Sequence, residues 1–347
     1  MDRYIGLDAH ATSCTVAVVG PSGRRLGSHV VETNGQALVE QIRAIARPRH
    51  LCMEEGTQSA WLYEVLSPHV DELVVTGIAT SHGPKSDQRD AFALAQALRT
   101  GSIETNVFKA PTQFALLRGL ARTYDTLTRD VVRTQCRIKS LYRSRGISTP
   151  GRSVYNPDDR SEWVGRLPTS CRPTALLLGS QLDALRAVKK DAEKQLVTES
   201  HRHPISRLLE TCPGMGQLRV AMAIPVIVTP ERFRTARQLW SYSGLGIVMR
   251  SSSDYVQTES GWKWAPVLKT RGLNWRFNRT LKYVFKGAAT TVITKLADCP
   301  LRDDYRRVLE GGTKQNLAKL TLARKIAATL LAMWKHEEEY DPARHRK

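Results

Sequence analysis

The chain has 347 residues, with 52 lysines and arginines against 33 aspartates and glutamates, a formal charge of +19 and an isoelectric point near 10. Its hydrophobic fraction of 41% suits ordinary globular cores, and its length suits two domains with a connection between them. No apolar run approaches the ~20 residues of a membrane helix, and MDRYIGLDAH lacks the basic start and long apolar segment of a secretory signal; a cytosolic protein with no membrane partner is therefore expected.

So large a positive charge repels itself unless a polyanion compensates it, and nucleic-acid phosphate is the usual cytosolic polyanion. A merely basic soluble protein is the plainer alternative.

The first hundred residues alternate β-rich runs with helical segments. RYIGL (3 to 7), SCTVAVVG (13 to 20) and LGSHVVE read as three strands of a meander. A helix from Gly35 to Ala46, a strand around Leu51 to Met53, a helix from Ala60 to Ser67, a strand LVVTGIA and a helix from Ser86 to Arg99 follow. Three antiparallel strands and then alternating helices and strands are the order of a ribonuclease-H-like α/β domain, here 1-108.

From Pro111 to Ser144 a long helix is expected, with Phe114, Leu117, Leu120, Tyr124, Leu127, Val131 and Ile138 near helical spacing. Its other positions carry Arg118, Arg122, Arg129, Arg133, Arg137 and Lys139, a face that is either solvated or set against nucleic acid. A loop or small insertion rich in Pro, Ser and Gly precedes a second helix from Leu176 to Glu199, and the two helices are expected to pair antiparallel as a coiled-coil region, 109-202.

A mainly helical domain, 203-347, opens with LLETCPGMGQLRVAMAIPVI. Gly214 and Gly216 allow a sharp turn between two helices, a helix-hairpin-helix form whose second helix can offer its amides to a DNA phosphate, or simply a packing turn. RFRTARQLWSYSGL reads as a helix, residues 251 to 261 as a Ser-rich segment, Asn274 to Lys295 as a basic helix and Lys314 to His336 as a final helix. The six cysteines are scattered without a C-x-x-C pair, and His201 and His203 lack nearby ligands, so reduced structural thiols and exposed or capping histidines are expected.

The acids of the first domain carry the chemistry. Asp8 ends a strand in YIGLDAH, Glu54 ends another in LCMEEG, and Asp87 and Asp90 in KSDQRDAFALA are three apart and share a helix face. Singly, each is an ordinary surface carboxylate or helix cap. Together they form a cluster of like charges that an oxygen-seeking cation, Mg2+ or Mn2+, would hold beside substrate phosphates.

These motifs resemble the DEDD-type insertion-sequence transposases of the insertion-sequence-110 class, also called bridge recombinases. YIGLDAH, CMEEGTQSAW and KSDQRDA are similar to that family's I-G-I-D, I-E-x-x-G and K-T-D-x-x-D-A. CPGMGQLRVAMAI, ERFRTARQLWSYSGL and the basic helix after KTRGLNW are similar to its I-P-G-x-G, R-F-x-x-A-R-Q-x-A-x-x-x-G-L and K-x-G-x-x-x-L-R. The resemblance covers nearly the whole chain. It implies a RuvC-like domain whose metal ligands are Asp8, Glu54, Asp87 and Asp90, with Glu54 preferred to Glu55 because it directly ends the strand.

The resemblance further implies a serine nucleophile in the second domain shortly after Gly244 and Leu245, which falls in MRSSSDY. Ser252 is the assignment, with Ser251 and Ser253 beside it and Ser260 as an outlying alternative. The family's S-G is here Ser252 followed by Ser253, and Ile247 replaces a common proline. Also implied are a transient phosphoserine link to donor and target DNA, a noncoding guide RNA, and a homo-oligomer, a dimer assembling to a tetramer, whose subunits share active sites.

Arg271, Arg276, Arg279, Lys282 and Lys286 are expected to bind backbone phosphate, the last four near one helical face. Trp262, Trp264 and Trp275 suit either base stacking or a core. Two other readings compete: a ribonuclease-H-like nuclease that hydrolyses with water, which leaves the Ser-rich block without a task, and a non-catalytic nucleic-acid-binding protein descended from a transposase. When active, a recombinase would be associated with the nucleoid.

Overall fold

The computed structural model describes residues 1–77, 86–103, 114–249, 255–264 and 270–343. Close contacts divide the chain into two compact units, Met1–Gln113 and Phe114–Lys347.

The first unit contains β1 (Arg3–Ala9), β2 (Ser13–Val19), β3 (Arg25–Glu32), α1 (Gly35–Arg43), β4 (Arg49–Glu54), α2 (Ser59–Leu66), β5 (Glu72–Thr76) and α3 (Asp87–Thr100). Its five strands lie in the order β3-β2-β1-β4-β5. β1 runs antiparallel to β2 and β2 to β3, whereas β1, β4 and β5 are parallel.

Strand alternation assigns the two faces. Ile5 and Leu7 of β1 join Leu51 and Met53 of β4 on one face, where Leu38 and Ile42 of α1 and Leu62 and Leu66 of α2 cover them. On the opposite face Ala17 and Val19 meet Ala91, Phe92 and Ala95 of α3. Asn34 caps α1 by accepting from the backbone N–H groups of Gln36 and Ala37, and Gly101, at φ 66°, ends α3 in the left-handed conformation that glycine adopts without strain.

The second unit contains α4 (Ala115–Arg143), α5 (Arg160–Gly165), α6 (Arg172–Ser200), α7 (Pro204–Glu210), α8 (Gly216–Ile227), α9 (Ala236–Tyr242), β6 (Ile247–Met249), β7 (Tyr255–Thr258), β8 (Gly261–Trp264), β9 (Thr270–Leu273), α10 (Arg279–Lys295), α11 (Pro300–Glu310) and α12 (Gln315–His336). α4 and α6 form the expected antiparallel pair: the start of α4 shares a core with Leu196 near the end of α6, and the end of α4 shares another with Ala175 and Leu182 near its start. Arg129 and Arg133 on the outer face of α4 pair with Asp125 and Asp130 of the same helix, as on a solvated surface.

The main core gathers α8, α10 and α12 with α7, α9, α11 and the adjoining ends of α4 and α6. α8 buries Val220 to Ile224 without interruption, the pattern of a helix surrounded on all sides.

The structure corrects several expected elements. Of the two readings of the stretch between α4 and α6, the small insertion holds and the bare loop does not: it contains α5, whose buried Trp163 stands edge-on to Tyr142 of α4 with ring centres 5.6 Å apart. In RFRTARQLWSYSGL only Ala236–Tyr242 is α-helical. The Ser-rich segment gives way to the antiparallel hairpin of β7 and β8, β6 pairs with β9, and α11 was not expected at all. No described helix is long and apolar enough to cross a membrane.

Candidate metal centre and nucleic-acid face

Gly6 fixes the geometry of the acidic cluster. It lies between Ile5 and Leu7 and therefore faces the α3 side of the sheet, where a Cβ would fall 1.8 Å from the Ala91 carbonyl oxygen and 2.7 Å from the Ala95 nitrogen. The α3 backbone thus rests directly on β1, an approach that only a residue without a side chain permits. Two residues further along the same face is Asp8, and the first turn of α3, carrying Asp87 and Asp90, comes to the same strand end.

There His10 Nε2 lies 3.4 Å from Asp8 Oδ2 and 3.5 Å from Asp87 Oδ1. Asp8, His10 and Asp87 each offer a ligand atom, and all three atoms lie within 4.8 Å of one another. Burial raises the Asp8 carboxyl above the ordinary carboxylate range; His10 draws it down, while Asp87 and Asp90 push it further up. Asp90 therefore acts on Asp8 electrostatically, although its carboxylate is not one of the three converging groups.

Glu54 ends β4. The parallel register pairs Leu7 with Met53, so Glu54 follows Met53 as Asp8 follows Leu7, and alternation puts both on the α3 face. Glu54 is exposed and also stands outside the converging three. Of the four expected acids, the structure brings two into ligand range of each other and sets the other two around them.

His10 was not singled out in the sequence. The signal was nevertheless present: in LDAH it stands two residues after Asp8, the spacing that keeps extended-chain side chains on one face.

In the second unit Ser251, Ser252 and Ser253 lie outside the described residues. Ser260 is in the exposed turn joining β7 to β8, its hydroxyl 3.2 Å from that of Thr258. Gly244, at φ 67°, lies beneath the Phe277 ring, whose Cγ would be 2.5 Å from an added Cβ.

Gly214, at φ 80°, is held against α10: a Cβ there would lie 2.5 Å from the Ala288 carbonyl oxygen, and its own carbonyl accepts from Arg219 at 2.7 Å. Gly216 opens α8 and is exposed. His201 and His203 are partly buried and stand at cap positions, as one of the two expectations had it, His201 ending α6 and His203 preceding α7; His201 Nε2 lies 2.8 Å from Glu210, whereas His203 Nε2, 3.8 Å from Glu199, makes no hydrogen bond among the described residues. Five of the six cysteines are buried and Cys136 is exposed.

Arg279, Lys282 and Lys286 lie on α10, as expected, and Arg271 is on β9. Arg276 does not share their helical face: it precedes the cap residue Asn278 in a turn, where its backbone N–H donates to the Asn274 side chain. A core role for the tryptophans also fails where they are described, since Trp262 is 66% and Trp275 90% exposed.

Two family models match the chain. One, of DEDD transposases of the IS110 type and described as a transposase, covers residues 5–144. The other, described as the transposase IS116/IS110/IS902 family, covers residues 206–305. Among curated proteins the chain is 28% identical over 179 residues to the uncharacterized 44.8 kDa protein of insertion element IS116 from Streptomyces clavuligerus, an alignment covering 51% of this chain and 41% of that protein. It is 30% identical over 164 residues to the uncharacterized 43.6 kDa protein of insertion element IS110 from Streptomyces coelicolor, covering 47% and 37% respectively. The alignments thus span about two-fifths of these relatives.

Proposed function

The chain belongs to the IS110 family of transposases, and from that premise we propose that it cuts and rejoins DNA through a serine nucleophile assisted by a divalent cation. The observation that carries this reading is the convergence of Asp8, His10 and Asp87. The strand order β3-β2-β1-β4-β5, with the acids at the ends of the two central parallel strands, supports a ribonuclease-H-like, RuvC-like catalytic domain.

The donor set fits a divalent cation. Two carboxylates and an imidazole nitrogen face one another, and both the burial that chiefly raises Asp8 and the lesser repulsion from Asp87 and Asp90 would be offset by a double positive charge among them. Asp8 and Asp87 would hold the ion with His10, and Asp90 and Glu54 would complete the shell. When bound, Mg2+ or Mn2+ supplies Lewis-acid stabilisation of charge on phosphate oxygens.

The serine assignment remains Ser252. Its hydroxyl attacks phosphorus, a P–O bond to the DNA sugar breaks, and the departing sugar oxygen takes the proton. The phosphoserine conserves the phosphodiester, so a second sugar hydroxyl can reverse the step and reseal a strand without ATP. The chain contains no G-x-x-x-x-G-K-[ST] sequence to bind a nucleotide triphosphate in the P-loop manner. A noncoding guide RNA selecting donor and target DNA, and an oligomer that brings one subunit's acids to another's serine, complete the reading; the charge of +19 supports polyanionic partners.

The test incubates the full chain with Mg2+, element-end and target DNA, and RNA transcribed from the element's flanks, and assays for denaturant-resistant protein–DNA adducts. Adducts should form with the native chain and vanish in Ser252→Ala. Cleavage without an adduct would replace the serine mechanism with hydrolysis by water. Recombination by a variant carrying both Asp8→Ala and Asp90→Ala would refute the metal centre.

A further inference from the structure

A groove of about 480 Å3 runs along the exposed side of α10. Its walls carry four cations, Arg279, Lys282 and Lys286 from α10 and Lys319 from α12, together with the rings of Phe277 and Tyr283. No acidic residue lines it among the described residues. Among the described residues none of these four cations forms an ion pair, and Lys282 is held close enough to Lys286 for that charge, after burial, to lower its affinity for a proton. Like charges crowded without a carboxylate await an external anion.

The rings narrow the choice of anion. Tyr283 is 66% exposed, although it lies within a helix whose neighbouring residues Val284 and Phe285 are fully buried. Phe277 is fixed from behind by Gly244, and Lys282 Nζ lies 4.0 Å above its ring centre. Trp275, two residues before Phe277, is 90% exposed. A duplex turns only backbone and base edges outward and gains nothing from flat rings in a phosphate groove, whereas an unpaired strand can lay its bases on them while the cations follow its phosphates.

We infer that this groove binds single-stranded nucleic acid, with Tyr283 as a stacking platform and Arg279, Lys282, Lys286 and Lys319 as the phosphate track. The inference rests on nucleic acid being the partner, as in the function proposed above, and involves neither the metal centre nor the serine. Its ligand chemistry is a phosphodiester strand with free bases, which an opened DNA end or an RNA loop can equally supply.

Fluorescence anisotropy decides the matter, using the full chain without divalent ions and labelled oligonucleotides of about 15 nucleotides as single-stranded DNA, single-stranded RNA and duplex DNA. Tyr283→Ala should weaken single-strand binding about tenfold and change duplex binding less than about twofold, while Tyr283→Phe keeps the native values. Replacing Lys282 and Lys286 together by alanine should weaken binding of every ligand and reduce the salt slope by about 1.4 for single strands and about 1.8 for duplex DNA. The DNA and RNA arms show which strand the groove prefers. Equal losses on duplex and single strand in Tyr283→Ala, or no loss on either in that variant, would overturn the inference, with thermal melting used to verify that each variant is folded. A chain that binds no nucleic acid sinks the transposase reading itself; one that binds strands but ignores Tyr283 sinks the groove alone.

Discussion

Asp8 is held in a place that disfavours its charge. A carboxyl whose folded pKa is raised binds its proton more tightly when folded, so its ionised form costs stability above that pKa and the cost fades as pH falls through it. At neutral pH and without divalent ions, Asp8→Asn should therefore melt at or above the native temperature, and it should lack the stabilisation by Mn2+ that the proposed metal centre predicts for the native chain; a variant that melts lower but responds to Mn2+ like the native chain would contradict both roles. His10 adds a nitrogen to an otherwise oxygen set. Mg2+ is bound through oxygen, whereas transition ions accept imidazole more readily, so His10→Ala should weaken Mn2+ binding, and weaken it more than Mg2+ binding. Titration calorimetry with each ion measures the difference. These residues also show what a sequence reveals unevenly. Asp8 and Glu54 were legible because they terminate β-rich runs, while His10, one residue past the end of β1, had only its two-residue spacing from Asp8 as a signal and gains its meaning when α3 brings Asp87 beside it.

At the scale of elements, the contact of α3 with β1 determines where the acids stand. Gly6→Ala would set a methyl group against the Ala91 carbonyl, and overpacking of this kind costs about 1–3 kcal/mol or more. The helix must move outward and carry Asp87 and Asp90 with it. The expected result is a lowered melting temperature together with weakened Mn2+ affinity; full affinity in a destabilised protein would separate the packing from the site. Long regular elements were readable from their spacing, as α4 and α6 were. The short ones were not. The β7–β8 hairpin turns at Glu259 and Ser260 without the Asn-Gly or Asp-Gly pair that marks a tight hairpin, and serine-rich composition concealed its strands. α11 did have a signal in Leu301 and Tyr305, four apart and both buried, but its charged residues, from Arg302 to Arg307, made PLRDDYRRVLE resemble a solvated linker. Arg276 was misplaced on the basic helix because basic spacing continues past the point where Asn278 caps it.

For the molecule as a whole, the excess of 52 basic over 33 acidic side chains acts oppositely on folding and on binding. Salt screens self-repulsion and also removes the counterion-release gain on nucleic acid. Raising NaCl from about 50 to about 200 mM should thus raise the melting temperature of the free chain while lowering nucleic-acid affinity by about 10^3 or more if 6–10 phosphates are contacted; parallel melting and anisotropy series measure the two trends, and a falling melting temperature would mean that specific ion pairs outweigh net repulsion. One thiol provides a practical way to follow assembly. Cys52 and Cys212 are buried and pushed up to about 12, Cys14, Cys171 and Cys299 are buried as well, and Cys136 alone of the six is exposed, near the outer end of a 29-residue helix. Maleimide chemistry requires an accessible thiolate, so a spin label or dye attaches to the unmutated chain at one known position. In the proposed homo-oligomer every subunit would carry an identical beacon, and the set of label-to-label distances would report how many copies have joined and whether DNA or RNA rearranges them.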